Sequence, residues 1–81
     1  MHELSIALSI VDGVSEEAAT CGGGLVRAVH LRLGRLSGVV REALLFAYDQ
    51  ACEGTSLEGS ELRIEDVDGS EMLITAMELE S

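Results

Sequence analysis

Three consecutive glycines, Gly22-Gly23-Gly24, separate two stretches of different period. Before them, apolar residues fall at Leu4, Ala7, Leu8, Val11, Val14 and Ala18, with Ile6 and Ile10 widening the stripe. That spacing is helical. Asp12, Ser15, Glu16 and Glu17 supply the polar side, and Gly13 costs the helix roughly 1 kcal/mol relative to alanine. After the glycines the pattern alternates from Leu25 to Leu33. Val29, Leu31 and Leu33 share one face of a strand, and Ala28, His30 and Arg32 share the other. A glycine run cannot continue a helix, and it supplies the left-handed residue that a helix C-terminus takes. The chain therefore has to change from helix to strand there.

The remaining elements follow from similar signals. Gly34 to Gly38 reads as a turn, with Ser37 or Gly38 as the N-cap of a second helix. That helix runs from about Val39 to Ala51. Val40, Ala43, Leu44, Ala47 and Ala51 form its buried stripe, Phe46 and Tyr48 lie at its borders, and Gly54 closes it. Glu61 to Val67 alternates with Leu62 and Ile64 inward. Asp68-Gly69 is a tight-turn signal, and Glu71 to Leu79 is a last strand, apolar on both parities. The expected order is α-β-α-β-β, an α/β domain with two helices packed on one face of a three-stranded mixed β-sheet. A right-handed crossover through the second helix makes the first strand parallel to one neighbour. The last two strands are expected to form a hairpin. At 81 residues the chain reads as a single domain, 1–81.

Aromatic residues make up only 2% of the chain against 47% apolar residues, so the core has to be aliphatic. The net charge is −10, with five arginines and no lysine. Such a chain repels phosphate backbones and anionic lipid, which argues against nucleic acid and membrane partners. No apolar run approaches the roughly 20 residues that cross a bilayer. The first residues lack the basic region and cleavage site of a signal peptide, so the expected location is the cytoplasm. Cys21 and Cys52 stand far apart, form no C-x-x-C pair, and read as reduced structural thiols. No spacing of Ser, Cys and His pairs a nucleophile with a base. The glycine run follows a helix and precedes a strand, the reverse of a phosphate-binding loop. The chain is not expected to be an enzyme.

The first three residues carry a different chemistry. In Met1-His2-Glu3 a histidine stands one residue from an α-amine. An α-amine titrates near about 7.7 and an imidazole near about 6.5, so both are readily freed near neutral pH. A metal with a square-planar preference, Ni(II) or Cu(II), can also displace the proton of the intervening amide. Amine, amide nitrogen and imidazole then close fused chelate rings. The first N–H groups of a helix have no intrahelical partner, so their use breaks no helical bond. Glu3 offers a nearby charge or its own amide as a fourth donor. A cation at a helix N-terminus costs about 0.3–1 kcal/mol against the macrodipole, which the Glu3 carboxylate and the lost amide proton offset. Because His2 is bulky, Met1 is expected to be retained. A histidine left fraying in solvent is the alternative.

Several runs extend this reading. They are Met1-His2-Glu3-Leu4-Ser5-Ile6-Ala7, Leu31-Arg32-Leu33-Gly34-Arg35-Leu36-Ser37-Gly38-Val39, and Glu42-Ala43-Leu44 with Phe46-Ala47. Glu53-Gly54-Thr55 and Leu57-Glu58-Gly59-Ser60-Glu61-Leu62 continue them. Together they resemble the hydrogenase nickel-incorporation family, the HypA/HybF-type metallochaperones, over nearly the whole chain. The resemblance implies a nickel carrier for [NiFe]-hydrogenase maturation and in some organisms for urease. It implies Ni(II) ligation by the first residues, here Met1, His2 and Glu3. The implied partners are a nickel-exchanging GTPase and the hydrogenase large subunit. The family carries a zinc domain with two C-x-x-C pairs between its last two strands. Here Val67 passes through Asp68-Gly69-Ser70 directly to Glu71, and those cysteines are missing, so no zinc is expected. Where the family commonly has proline before Glu42, this chain has Arg41.

Three other groups read as structural. His30 lies on the mixed face of the first strand, Glu65, Asp66 and Asp68 form a solvated charge run, and Met72 and Met77 read as packing residues. A competing function is a metal-free interaction or oligomerising scaffold, possible as a homo-oligomer, centred on the first helix and the doubly apolar last strand.

Overall fold

The computed structural model describes residues 2–80; Met1 and Ser81 lie outside the described residues. Five elements follow in the order α1 (Glu3–Thr20), β1 (Val26–Gly34), α2 (Arg41–Cys52), β2 (Glu61–Val67) and β3 (Met72–Leu79). They form a three-stranded mixed sheet with both helices on one face.

The strand order is β2-β1-β3. β1 runs parallel to β2, with Val29 opposite Leu62 and Leu31 opposite Ile64. It runs antiparallel to β3, with Leu31 opposite Ile74 and Leu33 opposite Met72. The expected hairpin of the last two strands is therefore not formed, because β1 lies between them. The physical reason lies in β1 itself. Val26, Val29, Leu31 and Leu33 are all buried, so this is the most enclosed strand. A central position pairs its backbone on both sides, where a β2–β3 hairpin would have left one side of it unpaired.

The short link Asp68–Glu71 crosses the end of β1 to join its two neighbours. Gly34 N–H donates to the Glu71 carbonyl at 2.7 Å, Arg35 N–H to Val67 at 2.9 Å, and Leu36 N–H to Gly69 at 2.8 Å. The crossing is so close that a Cβ on Gly34 would stand 2.4 Å from the Gly69 carbonyl oxygen and 2.8 Å from the Glu71 nitrogen.

The core is aliphatic. Ala7, Ile10, Val11, Val14 and Ala18 of α1 meet Val29 and Leu31 of β1 and Leu44, Ala47 and Ala51 of α2. Burying an aliphatic side chain of this size contributes roughly 1.5–3 kcal/mol. Tyr48 is buried at the centre of this layer and not at a border, while Phe46 is exposed. Leu4 and Leu8, placed in the α1 stripe by spacing, are exposed as well. Val40 precedes α2 and is also exposed. The opposite face of the sheet carries charge. Arg63 reaches Glu61 and Glu78, each at 2.9 Å, and Arg32 lies 3.8 Å from Glu65. No helix is long and apolar enough to cross a membrane among the described residues.

Candidate metal centre

The N-terminal site rests on the first turn of α1. The helix begins at Glu3 and His2 occupies its N-cap position, with φ −100° and ψ 84°. The His2 carbonyl accepts the Ile6 N–H at 3.1 Å and so starts the helical ladder. Its imidazole makes no capping bond and is exposed to solvent. Of the three residues singled out by sequence, the structure thus places His2 and Glu3 together at the head of α1. Met1 lies outside the described residues.

Glu3 is held by a long-range contact. Its Oε2 accepts the backbone N–H of Val40 at 3.3 Å. That bond, with one from its own amide, holds the Glu3 carboxyl below its ordinary range. Val40 is the N-cap of α2 and has no side-chain cap of its own. The expected cap at Ser37 or Gly38 is therefore displaced. The helix starts at Arg41, and Ser37 Oγ accepts only from Val39, at 3.3 Å. A carboxylate at this end of α2 also meets the positive end of its dipole. No local pattern signals this contact, since residues 3 and 40 belong to different elements. Its effect is to fix the start of α1, one residue after His2, against the start of α2.

The other titratable groups are placed differently. His30 Nε2 lies 2.6 Å from Glu78 Oε2 on the charged face of the sheet. The His30 contact, followed by Arg63, holds the Glu78 carboxyl below its ordinary range. Cys52 is buried and Cys21 exposed, so only Cys52 has the structural setting expected of both. Tyr48 Oη and Ser60 Oγ share a 2.7 Å hydrogen bond, with Cys52 Sγ 3.9 Å from the same hydroxyl. Burial pushes both the Tyr48 phenol and the Cys52 thiol up, which keeps each protonated and the thiol unreactive. Among the described residues, no three His, Cys, Asp or Glu side chains converge as a metal site.

The fold and this terminus match known proteins. Residues 1–78 match the family described as hydrogenase/urease nickel incorporation, metallochaperone, HypA. A hydrogenase maturation factor HypA of Roseiflexus sp. (strain RS-1) is 61% identical over 67 residues, covering 83% of this chain and 54% of the relative. The factor of the same name from Chloroflexus aurantiacus (strain ATCC 29366 / DSM 635 / J-10-fl) is 55% identical over 67 residues, covering 83% and 59%. The chain thus spans little more than half the length of these curated relatives. The solution structure of the Ni metallochaperone HypA from Helicobacter pylori aligns with a TM-score of 0.78 at 16% identity, over 98% of this chain and 97% of that one. At that identity the likeness concerns the fold alone. The match over nearly the whole chain, with the high identity of its relatives, places this chain in the HypA family of hydrogenase/urease nickel-incorporation metallochaperones.

Proposed function

We propose that this chain is a single nickel-binding domain that carries Ni(II) for [NiFe]-hydrogenase maturation, with urease as a second destination. The metal is held by the Met1 amine, the His2 amide nitrogen and the His2 imidazole. The observation that carries the reading is an exposed, uncapped His2 at the head of α1, beside a Glu3 pinned to α2. The Glu3 carboxylate accepts from Val40 and from its own amide, and the fourth donor comes from Glu3, a partner or water. The carboxylate contributes its charge, which offsets that of the metal near two helix N-termini. Pinning Glu3 also lowers the entropy lost when the terminus closes on the ion.

The chain binds and releases metal and does not make or break a covalent bond of a substrate. It acts in the cytoplasm and holds no zinc of its own. Its partners are the nickel-handling GTPase that exchanges metal with it and the hydrogenase large subunit that receives it. Release by protonation suits such a site, because the metal has to displace protons from its nitrogens.

A Ni(II) titration of the untagged chain, followed by absorbance beside His2→Ala, tests the ligand set. The parent is expected to bind one equivalent with a weak visible square-planar band, and the variant to lose it. Equal binding by both would move the metal away from the terminus. Affinity is expected to fall as pH drops from about 7 to about 6, as amine and imidazole take up protons. A flat affinity from about pH 8 to about 5.5 would exclude these donors.

A further inference from the structure

β3 pairs with β1 on one side, and among the described residues no strand pairs with its other side. The bond from Gly34 N–H to the Glu71 carbonyl sets the alternation of the β1–β3 ladder. In an antiparallel pair, hydrogen-bonded and non-hydrogen-bonded positions alternate. Met72 and Ile74 therefore turn their backbone N–H and C=O groups away from β1, toward the open edge. Their side chains stand opposite Leu33 and Leu31, on the helix side of the sheet. The helices leave them uncovered: Met72 and Ile74 are 42% and 38% exposed.

Two hollows lie along this edge, between α1 and β3. One of about 460 Å³ is lined by Gly13, Val14, Ile74 and Met77, with Glu17 at its rim. The other, of about 230 Å³, is lined by Ile6, Ile10, Met72 and Ile74. Gly13 matters here because it has no side chain to fill the first hollow, and nothing lies within 4 Å of where its Cβ would be. The edge carries no charge from Met72 to Met77, and the charges beside it, Glu17 and Glu71, are both acidic. The whole chain carries −10.

We propose that this edge takes an extended segment of a basic protein partner as a fourth strand. The segment's backbone pairs with Met72 and Ile74. Its apolar side chains enter the two hollows beside α1, and its arginines or lysines meet Glu17 and Glu71. Main-chain pairing supplies affinity in such an addition, and the alternate side chains supply specificity. Charge selects against a second copy of this chain. An antiparallel self-pairing centred between Ile74 and Thr75 would set Glu71 opposite Glu78, and would join two bodies of −10 each. Pairing at this edge requires no metal.

The test is a titration of the isotope-labelled chain with a synthetic peptide that alternates valine and threonine with arginine, followed by NMR. Saturable shifts at Met72 and Ile74, and slowed exchange of their amides, are the expected result. The same peptide with glutamate in place of arginine is expected to bind roughly tenfold or more weakly. Met72→Pro removes one outward amide at the first residue of an edge strand, where proline is tolerated, and is expected to abolish binding. Ile74→Lys, which leaves the backbone intact, is expected to do the same if the proline variant disturbs the core spectrum. Absence of binding at millimolar peptide, shifts centred on Arg63, or equal binding of the glutamate peptide would each overturn the proposal. So would a peptide-free dimer on a sizing column that Met72→Pro dissolves, since the occupant would then be a second copy.

Discussion

β2 and β3 flank the same central strand, and the two edges are finished in different ways. β2 carries Glu61, Arg63, Glu65 and Asp66 along its exposed positions and keeps Leu62 buried. Arg41 of α2 reaches across to Asp66 at 2.7 Å, tying that edge to its helix. β3 carries no charge between Met72 and Met77, yet most of its side chains are exposed. Charged side chains on an edge deter pairing by another chain, and an uncharged edge invites it. The more apolar of the two strands is the less well covered. Hydrophobicity along a strand therefore does not report how deeply it is buried: β2 needs one leucine to join the core, while β3 spends its apolar residues on a surface.

The largest change to this comparison comes at the point both edges share. Gly34→Ala drives a Cβ into the backbone that links β2 to β3, and backbone at that site cannot step aside as a flexible side chain can. A loss of at least about 3 kcal/mol is expected in urea unfolding. A loss within about 1 kcal/mol would show that the crossing is loose.

Matched truncations sharpen the contrast. Leu62→Ala on β2 is expected to cost about 2–4 kcal/mol, because it opens a cavity at a buried site. Ile74→Ala on β3 is expected to cost less than about 1 kcal/mol, because its side chain already meets water. Equal losses in denaturant midpoints would erase the difference between the edges.

The smallest effect is electrostatic. Glu78 on β3 faces His30, then Arg63, and its carboxyl is held below the ordinary range. A depressed folded-state value contributes stability that is present at neutral pH and is lost as pH falls through it. Glu78→Gln is expected to flatten the acid limb of the stability–pH curve and to leave the alkaline limb unchanged. An unaltered acid limb would show that the pair contributes nothing in solution, as many exposed pairs do.

Local periodicity made the elements legible. The α1 stripe names Ala7, Val11, Val14 and Ala18 correctly, because helical spacing is fixed by backbone geometry. It also admits Leu4 and Leu8, which periodicity alone cannot separate from the buried set. β1 and β2 fall within a residue of their expected spans, and α2 starts at Arg41 where spacing placed it at Val39. The strand order was not legible. Asp68-Gly69 signals a turn, but a turn residue does not say whether the strands on either side pair with each other or with a third between them. At the candidate site, His2 and Glu3 could be named from the sequence, while the contact from Glu3 to Val40 could not, because it joins residues with no shared local pattern.

The placement of β1 between β2 and β3 has a consequence for how the chain is made. During synthesis β1 is complete at Gly34, but its first partner does not begin until Glu61. α1 and α2 can meet as soon as both have emerged. The sheet has to wait, because every one of its ladders joins β1 to a segment from the last third of the chain. Pairing across such sequence distances closes slowly. A nascent chain halted before β2 would therefore present two helices and an unpaired aliphatic strand, Val26 to Gly34, in need of shelter until its neighbours arrive.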